Sequence, residues 1–367
     1  MRHALPIASF LSMTLWAQAQ ACTGISLTTT GGDHIQARTI EWGSFDLNSH
    51  LVISPRGHSY TSTMPDGEQG LTWRSSRGFV GISVSDDRFI GEGVNEAGLS
   101  AGLFYFKGFG SLTPYDPKNA AETITDMDFV RWMLSQFETV GEVRSALDGI
   151  RIVPVHIDES GEPSPTAHWR AADRDGNSIV IEIVDNGKIT IHDNSVGVLT
   201  NSPGFQWHLL NLSNYVSLEP GTAPPRRFGD YEARSFGIGT AFHGLPGDIS
   251  PPSRFVRAAF FVATAPAMET AEHAVSQAFH ILHNFDLPLG TEFGDSQRAH
   301  IPDLPSATQW TAVSDQTNGL FYFTSMHDSA VRKVDLGRID FSADDEIVRP
   351  LDNGRFTVQD VTPAAAR

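Results

Sequence analysis

From Cys22 onward, the chain contains short segments in which apolar and β-branched residues alternate with polar ones, the pattern of half-buried strands. Residues 25–30 (ISLTTT) and 34–42 (HIQARTIEW) flank the turn sequence GGD. Residues 178–184 (SIVIEIV) and 188–193 (KITIHD) flank DNG. Glycine and asparagine tolerate the backbone angles of tight turns, so each pair is predicted to form a β-hairpin.

Several further segments show the same strand-like pattern. Asn95 to Gly98 (NEAG) is predicted to be a turn between two of them. The other predicted strands are residues 51–55, 79–84, 91–94, 99–106, 196–203, 308–313, 319–324 and 331–335.

Helical spacing of apolar residues occurs between the strand-rich parts. In residues 126–137, Phe129, Met133 and Phe137 lie on one face of a predicted helix. Thr139 and Glu142 have the spacing of a capping box, which predicts a second helix through Leu147. Two more helices are predicted over residues 254–263 and 270–283.

The order of elements is strands, helices, strands, helices, strands, and most strands are joined by hairpins rather than by helical crossovers. This order predicts an α+β fold with antiparallel sheets covered by helices. The proline-rich stretch 219–227 (EPGTAPPRR) is interpreted as a loop or projecting arm, because strand and helix patterns resume on both sides. We therefore predict a single domain over residues 22–367.

The first residues do not fit the folded domain. A charged start (RH) precedes an apolar run over residues 4–16, which is shorter than the roughly 20 apolar residues of a membrane-spanning helix. Ala19-Gln20-Ala21 is an A-x-A pattern of small residues. Together these features predict that residues 1–21 are a secretory signal peptide and that Cys22 begins the mature chain. The predicted location is the periplasm or the extracellular space.

A second interpretation of the same junction is a lipoprotein signal with a lipid on Cys22. Such signals usually carry Leu three residues before the cysteine, where this chain has Ala19. A polar tether also usually follows, whereas TGISL begins a strand at once. Both observations favour a free Cys22, and the lipid-anchored binding protein stays as the non-enzymatic alternative.

Composition narrows the class of partner. The formal net charge is −17, which argues against nucleic acid, because phosphates require a surface rich in Lys and Arg. No other apolar stretch is long enough to span a bilayer, so no stable membrane association is expected. With one cysteine, the chain can form no internal disulfide.

A free N-terminal cysteine carries a nucleophile and a base on one residue. The reference pKa values are about 7.7–8.0 for an α-amine and about 8.5 for a thiol. The neutral amine can therefore take the thiol proton and later return it to a leaving amine. The usual alternative for a lone cysteine is a small buried hydrophobic residue, but the position directly after an A-x-A site favours the nucleophile.

The opening CTGISLTTTGGDHIQARTIEWG resembles the start of the choloylglycine hydrolase family, which contains bile salt hydrolases and penicillin V acylases. GVNEAGLSAGLFYF, GVLTNSPGFQWHLLNLSNYV and FGIGTAFHGLPGDISPPSRFVRAAFF resemble further family blocks in the same order. The resemblance covers the whole mature chain. It implies the N-terminal nucleophile hydrolase fold, a four-layer αββα sandwich with two antiparallel sheets between layers of helices.

The resemblance also implies roles for individual residues. Cys22 is the nucleophile, and Arg38 lies where the family has an arginine close to the thiol, which would favour the thiolate. Glu41 lies where the family usually has Asp to contact the N-terminal amine, so this chain has one extra methylene there. Asn201, in LTNSP, matches the asparagine that donates to the oxyanion. Arg254 matches the arginine that holds the nucleophile region.

Tyr105 matches a position that is typically Asn in bile salt hydrolases and Tyr in some penicillin V acylases. It favours hydrolysis of a linear carboxamide of the penicillin V acylase type, with an aromatic or fatty acyl group. Bile salts and acyl-homoserine lactones stay as alternative substrates. The candidate acyl-binding residues, for which ordinary core packing is the alternative, are Trp42, Phe45, Phe104 and Phe106.

No metal or organic cofactor is required by this chemistry. His280 and His283 lie one helical turn apart, but they have no carboxylate or cysteine companions and are a weak metal motif. The proline-rich stretch 219–227 lies where family tetramers carry an assembly arm, so the resemblance implies a homotetramer.

Overall fold

The structure is a computed structural model that describes residues 20–43, 45–65, 67–155, 166–289, 291, 307–351 and 354–363. Apart from Gln20 and Ala21, the predicted signal peptide (residues 1–21) lies outside the described residues. None of the helices in these ranges is long and apolar enough to cross a lipid bilayer.

Strands make up most of the regular structure. In chain order they are β1 (Gln20–Thr28), β2 (His34–Trp42), β3 (His50–Ser54), β4 (Ser59–Thr63), β5 (Gln69–Arg74), β6 (Phe79–Val84), β7 (Asp86–Asn95), β8 (Ser100–Tyr105), β9 (Thr123–Thr125), β10 (Arg151–Val153), β11 (Ala167–Ala172), β12 (Ser178–Val184), β13 (Lys188–Asp193), β14 (Val198–Leu199), β15 (Arg226–Phe228), β16 (Tyr231–Ala233), β17 (Ala307–Asp315), β18 (Leu320–Ser325), β19 (Asp328–Asp335) and β20 (Ile347–Pro350). The α-helices are α1 (Phe129–Gln136), α2 (Val140–Ala146), α3 (Phe205–Leu212), α4 (Pro251–Thr264) and α5 (Ala271–Leu282).

Two large antiparallel sheets form the centre of the molecule. One has six strands in the order β14-β1-β2-β17-β18-β19, and the other has eight in the order β13-β12-β11-β8-β7-β6-β3-β20. The predicted hairpins β1/β2 and β12/β13 are both present. The turn between β12 and β13 places Asp185 and Asn186 at positive φ, as the DNG sequence predicts.

Helices cover the outer face of each sheet. The helices α4 and α5 pack on the six-stranded sheet, and α1 and α2 pack on the eight-stranded sheet. Every residue of β6 is buried, because one of its faces meets the other sheet and one meets α1. The result is the predicted α+β, four-layer αββα sandwich.

The helix predicted over residues 126–137 is shorter in the structure, where α1 begins at Phe129. The Asp126 carboxylate accepts hydrogen bonds from the backbone N–H groups of Met127 at 3.0 Å and Val155 at 2.9 Å. These bonds hold the chain in a turn just before the helix, so the helical pattern of the sequence extends past the true start.

The strand predicted over residues 196–203 is also shorter, because β14 contains Val198 and Leu199 alone. The backbone carbonyls of Thr200 and Asn201 face histidine side chains instead of another strand. The polar end of the segment is thereby a loop at the edge of the six-stranded sheet, next to β1.

Candidate active site

Cys22 lies in β1 and is 3% exposed in the unprocessed chain. On one side its backbone pairs with Ile40 of β2. On the other side, β14 pairs with β1 at Gly24 and Ile25. This short strand does not extend to Cys22, so the edge of β1 is not paired with it there. The loop after β14 occupies that space with a side chain.

That side chain is Asn201. Its Oδ1 accepts a hydrogen bond from the Cys22 N–H at 2.7 Å and another from Arg254 Nη2 at 2.7 Å. Because both neighbours are donors, the oxygen of the amide must face them. The Asn201 Nδ2 accordingly points the other way and donates to the Tyr105 carbonyl at 3.0 Å.

Arg254 joins the first turn of α4 to β1. Its Nη1 donates to the carbonyl of Cys22 and to Thr23 Oγ1 at 2.9 Å, and its Nε donates to the Ile249 carbonyl at 2.8 Å. The side chain is fully buried. One guanidinium thus holds the backbone of Cys22 and the amide of Asn201 together.

Glu41 is buried on β2, directly opposite Ala21 of β1. Its Oε1 accepts a hydrogen bond from Thr308 Oγ1 at 3.0 Å, and its Oε2 has no hydrogen-bond partner among the described residues. Burial raises the pKa of Glu41 to about 7, although the charge of Arg254 and the hydroxyl of Thr39 partly offset the effect. A carboxyl group that titrates near neutral pH therefore lies one residue from Cys22 across the strand pair.

Arg38 lies deeper, between the two sheets. Its Nη1 donates to the carbonyls of Gly91 at 3.0 Å and Leu103 at 2.9 Å. Its guanidinium lies 4.5 Å from the ring centre of Phe104 and 5.1 Å from that of Trp310. The structure therefore gives Arg38 a fixed, buried charge two strand residues from Ile40, the partner of Cys22.

A buried ion pair lies close to Arg38. Arg170 Nη2 donates to Glu92 Oε1 at 3.1 Å, and both side chains are almost fully buried. A methyl group on Gly102 would approach the second carboxylate oxygen of Glu92 to 1.9 Å, so a larger residue there would displace the carboxylate. Two arginines and one glutamate are thus buried together at this point between the sheets.

An apolar cavity of about 480 Å³ lies beside Cys22. Ile40, the cross-strand partner of Cys22, and Tyr105, whose carbonyl accepts from Asn201, both line it. Burial raises the pKa of Tyr105 to about 12, so its phenol is neutral. The other apolar lining residues are Trp42, Phe45, Leu47, Val84, Phe89, Leu103, Met127, Val155 and Ala167.

The four candidate acyl-binding residues divide into two pairs. Trp42 and Phe45 line the cavity and contact each other edge to face with ring centres 5.7 Å apart. Phe104 and Phe106 do not line it and are fully buried elsewhere. Phe104 packs on the guanidinium of Arg38, and Phe106 stacks on His168. Alternation along the strand explains this division, because neighbouring side chains point to opposite faces.

Gln309 is a residue near the site that the sequence did not single out. It lies at a β-bulge in β17, and its Oε1 accepts from the Leu47 N–H at 2.9 Å. Its Nε2 donates to the carbonyls of Phe45 at 3.0 Å and Trp42 at 3.3 Å. Gln309 therefore pins the chain segment that forms one cavity wall, and no local motif indicates this because the partners are more than 250 residues away.

Comparison with known proteins agrees with this geometry. Residues 22–349 match the model of a family described as linear amide C–N hydrolases, the choloylglycine hydrolase family. A bile salt hydrolase/transferase from Clostridium perfringens is 30% identical over 317 residues, which cover 86% of this chain and 93% of that protein. A penicillin V acylase from Pectobacterium atrosepticum is 26% identical, with 94% of this chain and 89% of that protein covered.

The fold has a solved counterpart as well. The crystal structure of a variant of the conjugated bile acid hydrolase from Clostridium perfringens superimposes with a TM-score of 0.80 and 26% sequence identity, covering 93% of this chain and all of that one. The protein is thus a hydrolase of non-peptide carbon–nitrogen bonds on an N-terminal nucleophile fold. It belongs to the choloylglycine hydrolase family.

Proposed function

We propose that this protein hydrolyses linear amides with an apolar acyl group and uses Cys22 as its N-terminal nucleophile. The observation that carries the proposal is the apolar cavity, whose lining includes Ile40 opposite Cys22 and Tyr105 beside Asn201. An acyl chain in this cavity would place its carbonyl carbon next to the cysteine. The charged residues among its lining are Asp86 and Arg88, at the start of β7.

Removal of residues 1–21 would create the catalytic base. The N–H of Cys22 that now donates to Asn201 Oδ1 at 2.7 Å would become an α-amine at the same place. Loss of Ala21 would also open the space opposite Glu41, whose Oε2 is without a partner among the described residues. That carboxylate is well placed to accept a hydrogen bond from the ammonium form of the amine.

The proposed reaction has two halves. The α-amine takes the proton of the Cys22 thiol, and the sulfur forms a bond with the amide carbon to give a tetrahedral oxyanion. The oxyanion collapses, the carbon–nitrogen bond breaks, and the leaving amine takes the proton from the ammonium. Water then gives a proton to the α-amine of Cys22, and its oxygen forms a bond with the acyl carbon. The carbon–sulfur bond breaks, the carboxylic acid is released, and the sulfur takes the proton back from the α-ammonium to restore the thiol.

Asn201 is the proposed oxyanion donor. Its NH₂ group carries two hydrogens, and the Tyr105 carbonyl accepts one of them. The other is then available to the oxyanion. Because Arg254 binds the oxygen of the same amide, it polarises the group and strengthens the NH₂ as a donor. The buried charge of Arg38 would favour the thiolate over the thiol.

The preferred acyl group is proposed to be aromatic or fatty, as in a penicillin V acylase. The edge-to-face contact of Trp42 with Tyr105, with ring centres 6.3 Å apart, and its contact with Phe45 give the cavity an aromatic wall. Such a wall suits a phenoxyacetyl group or an alkyl chain. Conjugated bile salts and long-chain acyl-homoserine lactones are the competing substrates.

Side-by-side turnover of penicillin V, glycocholate, taurocholate and a long-chain acyl-homoserine lactone by the mature enzyme tests this ranking. We expect release of the acid from penicillin V or the lactone to be fastest and Cys22→Ser to abolish it. Rapid cleavage of glycocholate alone would replace the proposal with a bile salt hydrolase. Full activity of Cys22→Ser would remove the cysteine mechanism.

The proposed processing exposes a free Cys22 after export to the periplasm or the extracellular space. Mass spectrometry of the mature N-terminus distinguishes a chain that begins at unmodified Cys22 from a diacylated one. A lipid on Cys22, together with loss of membrane association in Cys22→Ser, would support the lipid-anchored alternative.

A homotetramer is proposed from the projecting hairpin β15/β16 and its surroundings. Phe228 and Tyr231 on this hairpin, and Phe236 and Ile238 after it, are largely or fully exposed in one chain. Apolar surface of this kind is typical of an interface. Light scattering coupled to gel filtration measures the mass, and a monomer at micromolar concentration would contradict the proposal.

A further inference from the structure

Two buried histidines contact the backbone of the loop that carries Asn201, and the proposed reaction uses neither of them. His168 of β11 lies with its Nε2 2.9 Å from the carbonyl of Thr200. His208 of α3 lies with its Nε2 2.9 Å from the carbonyl of Asn201. A carbonyl can only accept, so both Nε2 atoms must carry hydrogen.

The second ring nitrogen of His168 faces a carboxylate. Its Nδ1 lies 3.3 Å from Glu182 Oε1, which also accepts the N–H of Phe205 at 2.7 Å. The other oxygen of Glu182 lies 3.3 Å from His192 Nε2. Burial works against ionisation of Glu182, but the hydrogen bonds and charges of His168, Phe205 and His192 lower its pKa. Both nitrogens of His168 therefore face acceptors, and its Nδ1 is oriented towards the Glu182 carboxylate.

His208 has a different environment. Its Nδ1 has no hydrogen-bond partner in the described part of the chain. Burial lowers the pKa of His208 to about 4, so the ring is neutral at neutral pH and holds its one hydrogen on Nε2. The ring stacks on Phe255 with centres 4.6 Å apart and planes within 12°. Phe255 follows Arg254 directly, so the stack ties His208 to the arginine that binds Asn201.

Phe106 has the same relation to His168. The two rings stack with centres 4.3 Å apart and planes within 7°. Each histidine is therefore held flat by a phenylalanine while its Nε2–H points at a loop carbonyl. Adjacent carbonyls of one loop are thus fixed from two elements, a strand of the eight-stranded sheet and a helix.

We propose that His208, and His168 with Glu182 as its hydrogen-bond partner, are positioning residues that set where the NH₂ of Asn201 meets the oxyanion. This inference rests on the proposed function. An oxyanion donor works only within about 2.7–3.1 Å of the developing charge. A displacement of about 1 Å can cost about a hundredfold in rate.

The test separates positioning from simple stability with a pair of substitutions at His208. Gln can place its Nε2 where His places its own, so His208→Gln keeps the donor to Asn201, whereas His208→Leu removes it. For His208→Leu we expect a fall in kcat of about ten- to a hundredfold with KM nearly unchanged. We expect His208→Gln to recover most of it and the exposed control His280→Leu to match the wild type.

Alkylation of Cys22 by iodoacetamide supplies the second measurement, because this reaction forms no oxyanion. The chain has one cysteine, so the site of labelling is unambiguous. We expect His208→Leu and Glu182→Gln to be labelled at the wild-type rate while amide turnover falls. An unchanged kcat, or parallel loss of labelling and turnover, would overturn the inference. If His208→Leu does not fold, Glu182→Gln carries the same comparison against the wild type.

The outcomes also distinguish this inference from the proposed function. If the wild-type protein hydrolyses none of the linear amides, or if Cys22→Ser stays active, the proposed function fails. If the wild type is active through Cys22 and the kcat of His208→Leu is unchanged, the positioning role alone fails.

Discussion

At the residue scale, Glu41 has one methylene more than the aspartate that the family resemblance implies at this buried position. Its Oε1 accepts from Thr308, and its Oε2 is free of partners among the described residues, close to where the proposed processing would create an α-amine. Burial raises its pKa to about 7. The ammonium of a processed Cys22 would favour the ionised carboxyl group, and Arg254 already acts in the same direction.

Substitution of Glu41 tests this assignment. Because Glu41→Gln cannot bind the ammonium by charge, we expect kcat/KM to fall at least about tenfold and the ionisation of Glu41 to disappear from the acid limb of the pH–rate profile. Glu41→Asp keeps the charge and restores the family residue, so it is the matched control and should retain that limb. Identical pH profiles for the wild type and Glu41→Gln would exclude Glu41 from the site.

At the scale of elements, the β-bulge in β17 brings two consecutive residues into contact with two different parts of the candidate site, Glu41 of β2 and the cavity wall. Thr308 opposes Glu41 and donates to it, and the next residue, Gln309, bonds the segment between Trp42 and Leu47. An extra residue in a strand redirects the side chains beside it. This irregularity therefore allows consecutive residues of one strand to contact a buried acid and a cavity wall.

Gln309→Leu should loosen that wall. The change removes three hydrogen bonds and leaves the Leu47 N–H unpaired, a loss of about 1–3 kcal/mol for the buried group. We expect KM for bulky acyl substrates to rise about tenfold, since 1.4 kcal/mol is about a factor of ten, with a smaller effect on short acyl groups. Gln69→Leu, an exposed strand position, is the control. Equal effects on short and bulky substrates would contradict a role in the cavity wall.

The capping box of α2 offers an element-scale prediction about stability alone. The Thr139 hydroxyl accepts from the Glu142 N–H at 3.2 Å, and the Glu142 carboxylate accepts from the Thr139 N–H at 3.2 Å. We expect Thr139→Ala to lower the free energy of unfolding by about 1 kcal/mol without changing kcat. Ser145→Ala in the same helix is the control. Denaturant titration measures the free energy of unfolding of both variants. Equal losses in the two variants would contradict a stabilising role for the capping box.

For the whole molecule, buried acids and a buried histidine change the free energy of unfolding in opposite directions as the pH changes. Burial raises the pKa of Asp126 to about 7 and that of Glu41 to about 7, and it lowers the pKa of His208 to about 4. The two acids contribute stability at low pH that is lost as the pH rises towards 7. His208 contributes stability above its ordinary value of 6.5 that is lost as the pH falls towards 4.

Asp126→Asn isolates one of these contributions. The asparagine oxygen can still accept from Met127 and Val155, but the group no longer titrates. We expect the variant to lose part of the decline in unfolding free energy between pH 4 and pH 7, at about 1.4 kcal/mol for each unit of pKa difference. Denaturant titrations across this range measure the slopes. A wild-type slope in the variant would mean that Asp126 does not carry the effect.

Much of the molecule follows from local pattern and short motifs. The turn sequences GGD and DNG define two hairpins because their residues accept positive φ, and the alternation around them places the strands. The A-x-A junction places Cys22 where processing would expose it. The resemblance of ordered blocks indicated the αββα arrangement. These features are readable because their causes lie within a few residues of one another.

The tertiary structure alone decided how the site is assembled. Asn201 and Arg254 reach Cys22 from 179 and 232 residues away, and Gln309 reaches the cavity wall from 264 residues away in the case of Phe45. Phe104 and Phe106 lie in the core rather than the cavity because strand pairing fixes which face each side chain occupies. The sequence by itself predicted Cys22 as the nucleophile and indicated the class of fold, since both rest on local patterns. Packing between distant segments determined which side chains surround Cys22, since hydrogen bonds and burial depend on positions that only the folded chain brings together.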